Sequence, residues 1–150
     1  MRDDHAVTSS RELQIVLLYT LYKKNGKSSD ERAISFIIDG KFLQDYEWDD
    51  DVVSSGDTRI VNRIRFERAN LIALGQMQDR LVGEKGVWRI SDAGRDRVRK
   101  SAKILYDHKT TGGPLSNFDW ERFTPSFLEL MRELGEKLAA EQGAATQVSS

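Results

Sequence analysis

A chain of 150 residues builds one domain, or one small domain with an appended element, around a real hydrophobic core. Hydrophobic residues make up 39% and charged residues 31%; no apolar run is long enough to cross a bilayer, and the opening MRDDHAVTSS lacks the basic-then-apolar plan of a signal peptide, so the expected location is the cytoplasm. The absence of cysteine excludes disulfides and thiolate metal sites, and a net charge of −1 argues against a nucleic-acid partner only if the charge is evenly spread.

It is not evenly spread. Residues 1–58 carry 7 Lys/Arg against 12 Asp/Glu, residues 59–109 carry 13 against 6, and residues 110–150 carry 3 against 6. A basic middle inside an acidic protein is the electrostatic footprint expected of a surface that meets phosphate.

Residues 1–9 read as a flexible N-terminus. The first helix starts at Ser9 or Ser10, where Ser9-x-x-Glu12 forms a capping box. Leu13, Val16, Leu17, Leu18, Leu21 and Tyr22 give this helix a wide apolar stripe, and Asn25-Gly26 ends it. A second capping box, Ser28-x-x-Glu31, opens the next helix, which turns Ala33, Ile34, Ile37 and Ile38 inward and stops at Asp39-Gly40. The stretch 42–56 reads as a long loop anchored by Phe42, Leu43, Tyr46 and Trp48. Its carboxylates Asp45, Glu47, Asp49, Asp50 and Asp51 lack the glycine and the closing glutamate that a calcium loop needs, so they read as solvated.

A helix is expected over 57–74, with Asp57 as N-cap and Gly75 as a left-handed stop. At ~100° per residue, Ile60, Val61, Ile64, Leu71 and Ile72 gather on one side, with Arg59, Asn62, Arg63, Phe66 and Asn70 on the other. A β-hairpin follows, in which Leu81-Val82 and Val87–Ile90 flank the turn Gly83-Glu84-Lys85-Gly86. A basic, amide-bearing helix followed by a basic-tipped hairpin is the arrangement of a winged helix-turn-helix, so the expected fold is mainly α with a small β-hairpin wing plus C-terminal helices. Long polar side chains on such a helix reach base edges and phosphates in the major groove of double-stranded DNA.

Ser91-Asp92 caps a further helix that runs to about His108, with Val98, Ala102 and Leu105 inward and Arg95, Arg97, Arg99, Lys100 and Lys103 over much of the rest. That basic face either lies near a DNA backbone or is simply solvated. Thr111-Gly112-Gly113-Pro114 breaks the pattern, so 110–124 reads as a linker. Thr124-Pro125 opens a C-terminal helix over 125–142, whose Phe127, Met131, Leu134 and Leu138 have the spacing of a coiled-coil seam. A seam this short is not stable alone: it folds back on the domain or pairs with a second copy, and the homodimer is the favoured expectation. Residues 143–150 read as a flexible tail.

Little catalytic chemistry is visible. His5 and His108 stand in no ligand cluster, and there is no nucleophile elbow and no glycine-rich phosphate loop, so no enzyme, metal or cofactor is expected. Asp107-His108-Lys109 has the acid-x-Lys form of metal-dependent nucleases, but it lacks a strand around it and matches of that length arise by chance.

NRIRFERANLIALG followed by GVWRISDAG resembles the N-terminal winged-helix domain of Mrr-type restriction endonucleases. The matching positions are Asn62, Arg63, Ile64 and Phe66, then Gly86, Val87, Trp88, Arg89, Ile90, Ser91 and Gly94, within a likeness that covers about 10–103. The resemblance implies a DNA-binding domain with the helix from Asp57 as reader and the hairpin as wing. It departs at Phe66, where the family usually has Trp, and at 76–80, which are extra residues before the first wing strand. Only residues 110–150 follow, without the family's nuclease domain, so DNA binding carries over and cleavage does not.

Base or phosphate contact is therefore expected from Arg59, Asn62 and Arg63, with Asn70 on the same face. Lys85 at the hairpin tip and Arg89 on its second strand are further DNA-contact candidates. Phe66, opposite the core stripe, either stacks on DNA or packs on the loop near Trp48 or on the C-terminal helix. Arg65 and Arg68 flank the core side and serve structure. The expected function is that of a small dimeric transcriptional regulator. The alternative is a protein-interaction module, an inhibitor or adaptor in a restriction or defence system.

Overall fold

The computed structural model of the protein describes residues 10–44, 59–79, 86–115, 118 and 120–149. It is mainly helical, with a small three-stranded antiparallel sheet. In chain order the elements are α1 (Ser10–Lys23), β1 (Lys27–Ser29), α2 (Asp30–Gly40), α3 (Arg59–Ala73), β2 (Met77–Gln78), β3 (Val87–Ile90), α4 (Asp92–Thr111), a 3₁₀ turn (Trp120–Arg122) and α5 (Pro125–Ser149). The strands lie in the order β1-β3-β2, so the last strand in sequence is central.

α1 is the axis of the core. Leu13, Ile15, Val16, Leu17, Leu18 and Leu21 are all buried, more than one stripe, because α2, α3, α4 and β3 pack around the helix. Each such side chain taken out of water contributes about 1.5–3 kcal/mol. The chain leaves α1 through Asn25 and Gly26, both at positive φ, and the Gly26 carbonyl accepts from the Ile90 N–H at 2.9 Å. That contact starts the sheet and moves the second helix boundary by one residue from the expected position. Ser28 lies inside β1 opposite Trp88, and it is Ser29 that caps α2, its hydroxyl accepting from the Arg32 N–H at 3.2 Å.

α3 ends as its glycine requires. Gly75 has φ 75° and the Gln76 N–H returns to the Leu71 carbonyl at 2.9 Å, a left-handed stop that a Cβ would strain. The strand that pairs with β3 then starts at once: Met77 lies opposite Ile90 and Gln78 opposite Arg89. Two of the residues expected to precede the first wing strand, Met77 and Gln78, are thus themselves strand. Leu81, Val82 and the tip with Lys85 lie outside the described residues. Ser91 locks the next helix to this corner, its hydroxyl donating to the Gly75 carbonyl at 2.6 Å and capping the Gly94 N–H at 3.2 Å. Gly94 sits so close to the Gln76 carbonyl that no side chain fits there.

The segment expected to be a linker is built into the core instead. Trp120 and Phe123 are buried, and Phe123 forms a bridge with Leu43. The Gln44 N–H donates to the Arg122 carbonyl at 2.6 Å and the Thr124 N–H to the Phe42 carbonyl at 2.8 Å. Ring contacts run from Trp120 to Phe123 (5.6 Å), from Phe123 to Phe127 (5.0 Å) and from Phe127 to Phe42 (5.3 Å). Tilted rings at these spacings add to their area burial.

The C-terminal helix is longer than the expected 125–142 and folds back along α4. Of the two expected uses of its apolar seam, folding back on the domain or pairing with a second copy, Phe127 and Met131 take the first and are fully buried within one chain. The side chains of 143–149 lie outside the described residues, as do residues 1–9 and the acidic stretch 45–58.

Candidate functional site

The candidate site is the solvent side of α3 together with the sheet beside it. On α3, Ile60, Ile64, Glu67 and Leu71 point inward. Three of these are the expected apolar positions; the fourth is a carboxylate with no exposure at all. Such a group is tolerated only if its lone pairs are answered. Glu67 accepts from Gln14 Nε2 at 2.9 Å and from Asn70 Nδ2 at 3.1 Å, and it forms an ion pair with Arg63 at 2.9 Å. Gln14 is itself held from the other side, its Oε1 accepting from Arg97 Nη1 at 2.8 Å, and the same nitrogen donates to Gln76 Oε1 at 2.7 Å. A polar chain therefore runs from α4 through α1 to α3.

This network sorts the expected contact residues. Arg63 and Asn70 are half-buried and tied to Glu67, so they edge the outer face rather than stand at its centre. Phe66 is 56% exposed, and the Arg63 guanidinium lies over its ring at 5.4 Å from the centroid. Of the three expected uses of this ring, packing on the C-terminal helix is not what the chain adopts, and the loop near Trp48 lies outside the described residues; the ring is presented to solvent with a cation on one side. Asn62 is half-buried and Ala69 exposed on the same helix. The Arg59 side chain and Lys85 lie outside the described residues. Arg65 and Arg68 do serve structure: Arg65 pairs with Asp30 of α2 at 3.5 Å, and Arg68 lies over the buried Trp88 ring at 5.4 Å.

On the sheet, Trp88 and Ile90 point inward while Val87 and Arg89 point outward. Residues directly opposite in an antiparallel pair share a face, so Arg89 is flanked by Lys27 on one side and Gln78 on the other. Lys27 was not among the expected contact residues. Nothing near it in sequence points to it; only the pairing of strands 62 residues apart in Lys27↔Arg89 brings the two cations side by side. Of the basic residues on α4, Arg99 turns to the Tyr22 hydroxyl at 3.3 Å and to Asp96 at 3.7 Å, and Arg97 turns inward. Asp107 and Lys109 sit in the last turns of α4, not on a strand. Among the described residues no group of three or more His, Cys, Asp or Glu stands close enough to hold a metal ion, and no helix is long and apolar enough to cross a membrane.

Comparison of the chain with protein-family models, curated proteins and solved structures found no match.

Proposed function

We propose that the protein is a winged helix-turn-helix that binds double-stranded DNA, with α3 as the reader helix and the β2–β3 hairpin as the wing, and that it acts as a small transcriptional regulator. The observation that carries the reading is the order of elements. Helix, strand, two helices and two strands, with the final strand central, place an amide- and arginine-bearing helix next to a hairpin within the basic block of the sequence. In this reading Arg59, Asn62 and Arg63 contact bases or phosphates, Lys85 and Arg89 contact phosphate, and Lys27 joins Arg89. Phe66 offers its ring to a thymine methyl, a contact that apolar side chains make in the major groove. Any two-fold assembly on DNA uses a surface other than Phe127 and Met131, which are buried in their own chain.

Fluorescence anisotropy with a random duplex over a salt series tests the reading. Affinity is expected to fall steeply with salt as phosphate contacts release counterions. An Arg59→Ala/Asn62→Ala variant is expected to lose about tenfold or more, in line with ~1–3 kcal/mol per base-reading side chain, while Arg132→Ala on α5 binds as the parent does. Absence of binding at low salt would overturn the reading. Phe66 on α3 and Leu74 just past its end, both more than half exposed, favour a second one, a protein-interaction module of a restriction or defence system. A stable hetero-complex without DNA retention would establish it.

A further inference from the structure

A second feature lies where α1, α4 and the segment after α4 meet. A cavity of about 520 Å³ has Arg11, Arg97 and Lys100 in its lining, together with Gln76, Asp96 and Phe118. That volume lies within the range of small-ligand pockets, roughly 300–1,000 Å³. We propose that this cavity is a binding site for a small phosphate-bearing anion.

Three cations line the cavity against one carboxylate, and that carboxylate, Asp96, is already paired with Arg99 at 3.7 Å. Arg97 is the fixed element. Its Nη1 donates to Gln14 at 2.8 Å and to Gln76 at 2.7 Å, and its guanidinium lies over the Phe118 ring at 5.7 Å. Those contacts use Nη1 and hold the plane of the group, leaving the edge formed by Nε–H and Nη2–H for a ligand. Two parallel N–H donors in that fork match two oxygens of a phosphate, and a preorganised guanidinium loses little freedom on binding. Arg11 and Lys100 are exposed and supply the charge for the remaining oxygens.

Burial first, and then the neighbouring Arg11 cation, hold Arg97 below its usual pKa, against the opposing pull of Glu12 and Glu67. An anion seated between the two guanidiniums offsets both costs at once. A monocarboxylate answers one of the three cations, whereas a phosphate ester or pyrophosphate answers two or more. The competing occupant is the backbone of duplex DNA. A concave site with an aromatic wall fits a small molecule better than the convex edge of a duplex.

Titration of inorganic pyrophosphate into the full chain at low ionic strength, by calorimetry and without DNA, tests the proposal. The parent is expected to bind at one saturable site. Arg11→Gln/Lys100→Gln removes two exposed cations of the cavity and is expected to weaken binding by about tenfold or more. Lys103→Gln/Lys109→Gln makes the same change of net charge on exposed positions of α4 and is expected to leave the affinity unchanged. Equal weakening in both variants, or no saturable binding by the parent, would overturn the site. Because no DNA enters the titration, the result is independent of the DNA-binding reading, and either can fail alone.

Discussion

Glu67 is the residue on which the candidate site turns. Its carboxylate lies inside the protein, held by Gln14 and Asn70 and paired with Arg63. Removing one partner of a buried charged pair is far costlier than the pair's own net worth, because the groups left behind keep their desolvation cost without an answer. Glu67→Ala is expected to destabilise the protein by about 3–5 kcal/mol, read as a shift of the urea midpoint with an unchanged slope. A loss under ~1 kcal/mol would mean that water replaces the carboxylate and that the network does not position Arg63. Part of this was legible in the sequence: Arg63, Glu67 and Asn70 stand at i, i+4 and i+7, spacings that meet on one helix face. The decisive partner was not legible, since Gln14 lies 53 residues away on another helix.

At the scale of the element, the contact of α4 with α5 shows how a small residue sets a helix crossing. A Cβ on Gly135 would stand 2.5 Å from the Ala102 carbonyl oxygen and 2.6 Å from the Tyr106 Cβ. Helix propensity favours alanine over glycine by roughly 1 kcal/mol. Overpacking against backbone costs about 1–3 kcal/mol, and a carbonyl in the middle of a helix cannot swing aside. The clash wins, so Gly135→Ala is expected to lower the melting temperature although it improves the isolated helix. A rise in melting temperature would show that α4 and α5 are not seated this closely. The periodicity of Phe127, Met131, Leu134 and Leu138 identified the apolar face of α5 correctly. It could not say which surface would cover that face, because a coiled-coil partner and a neighbouring helix ask for the same spacing. Short strands were harder still. Met77 and Gln78 carry no alternation that distinguishes a two-residue strand from a turn, and their register with β3 comes from the locked corner at Gly75, Ser91 and Gly94.

For the whole molecule, the described residues after α4 put Trp120, Phe123, Phe127 and Met131 into the one core. Phe123, Phe127 and Met131 are buried together with Phe42, Tyr19 and the α1 leucines. Deleting large core side chains costs about 3–5 kcal/mol apiece for phenylalanine, and a domain of this size is stable by only ~5–15 kcal/mol. A chain cut to residues 1–111 is therefore expected to show no cooperative melt by circular dichroism. A sharp two-state transition in that fragment would restore the expected boundary between a domain and a separate C-terminal helix.

The amino-acid sequence by itself determined the helices that carry a full apolar stripe, the Ser91 cap, the left-handed stop at Gly75 and the concentration of basic charge between 59 and 109. These are local properties, set by spacing, by capping hydroxyls and by the φ that glycine permits. The tertiary structure alone decided that Lys27 would stand beside Arg89, that Glu67 would be buried and answered by Gln14, that Trp120 and Phe123 would turn a linker into core, and that α5 would cover α4. In each case the contact joins residues far apart in the chain. Such pairings are fixed by which apolar faces and unanswered polar groups can be satisfied together, and no local pattern holds that information.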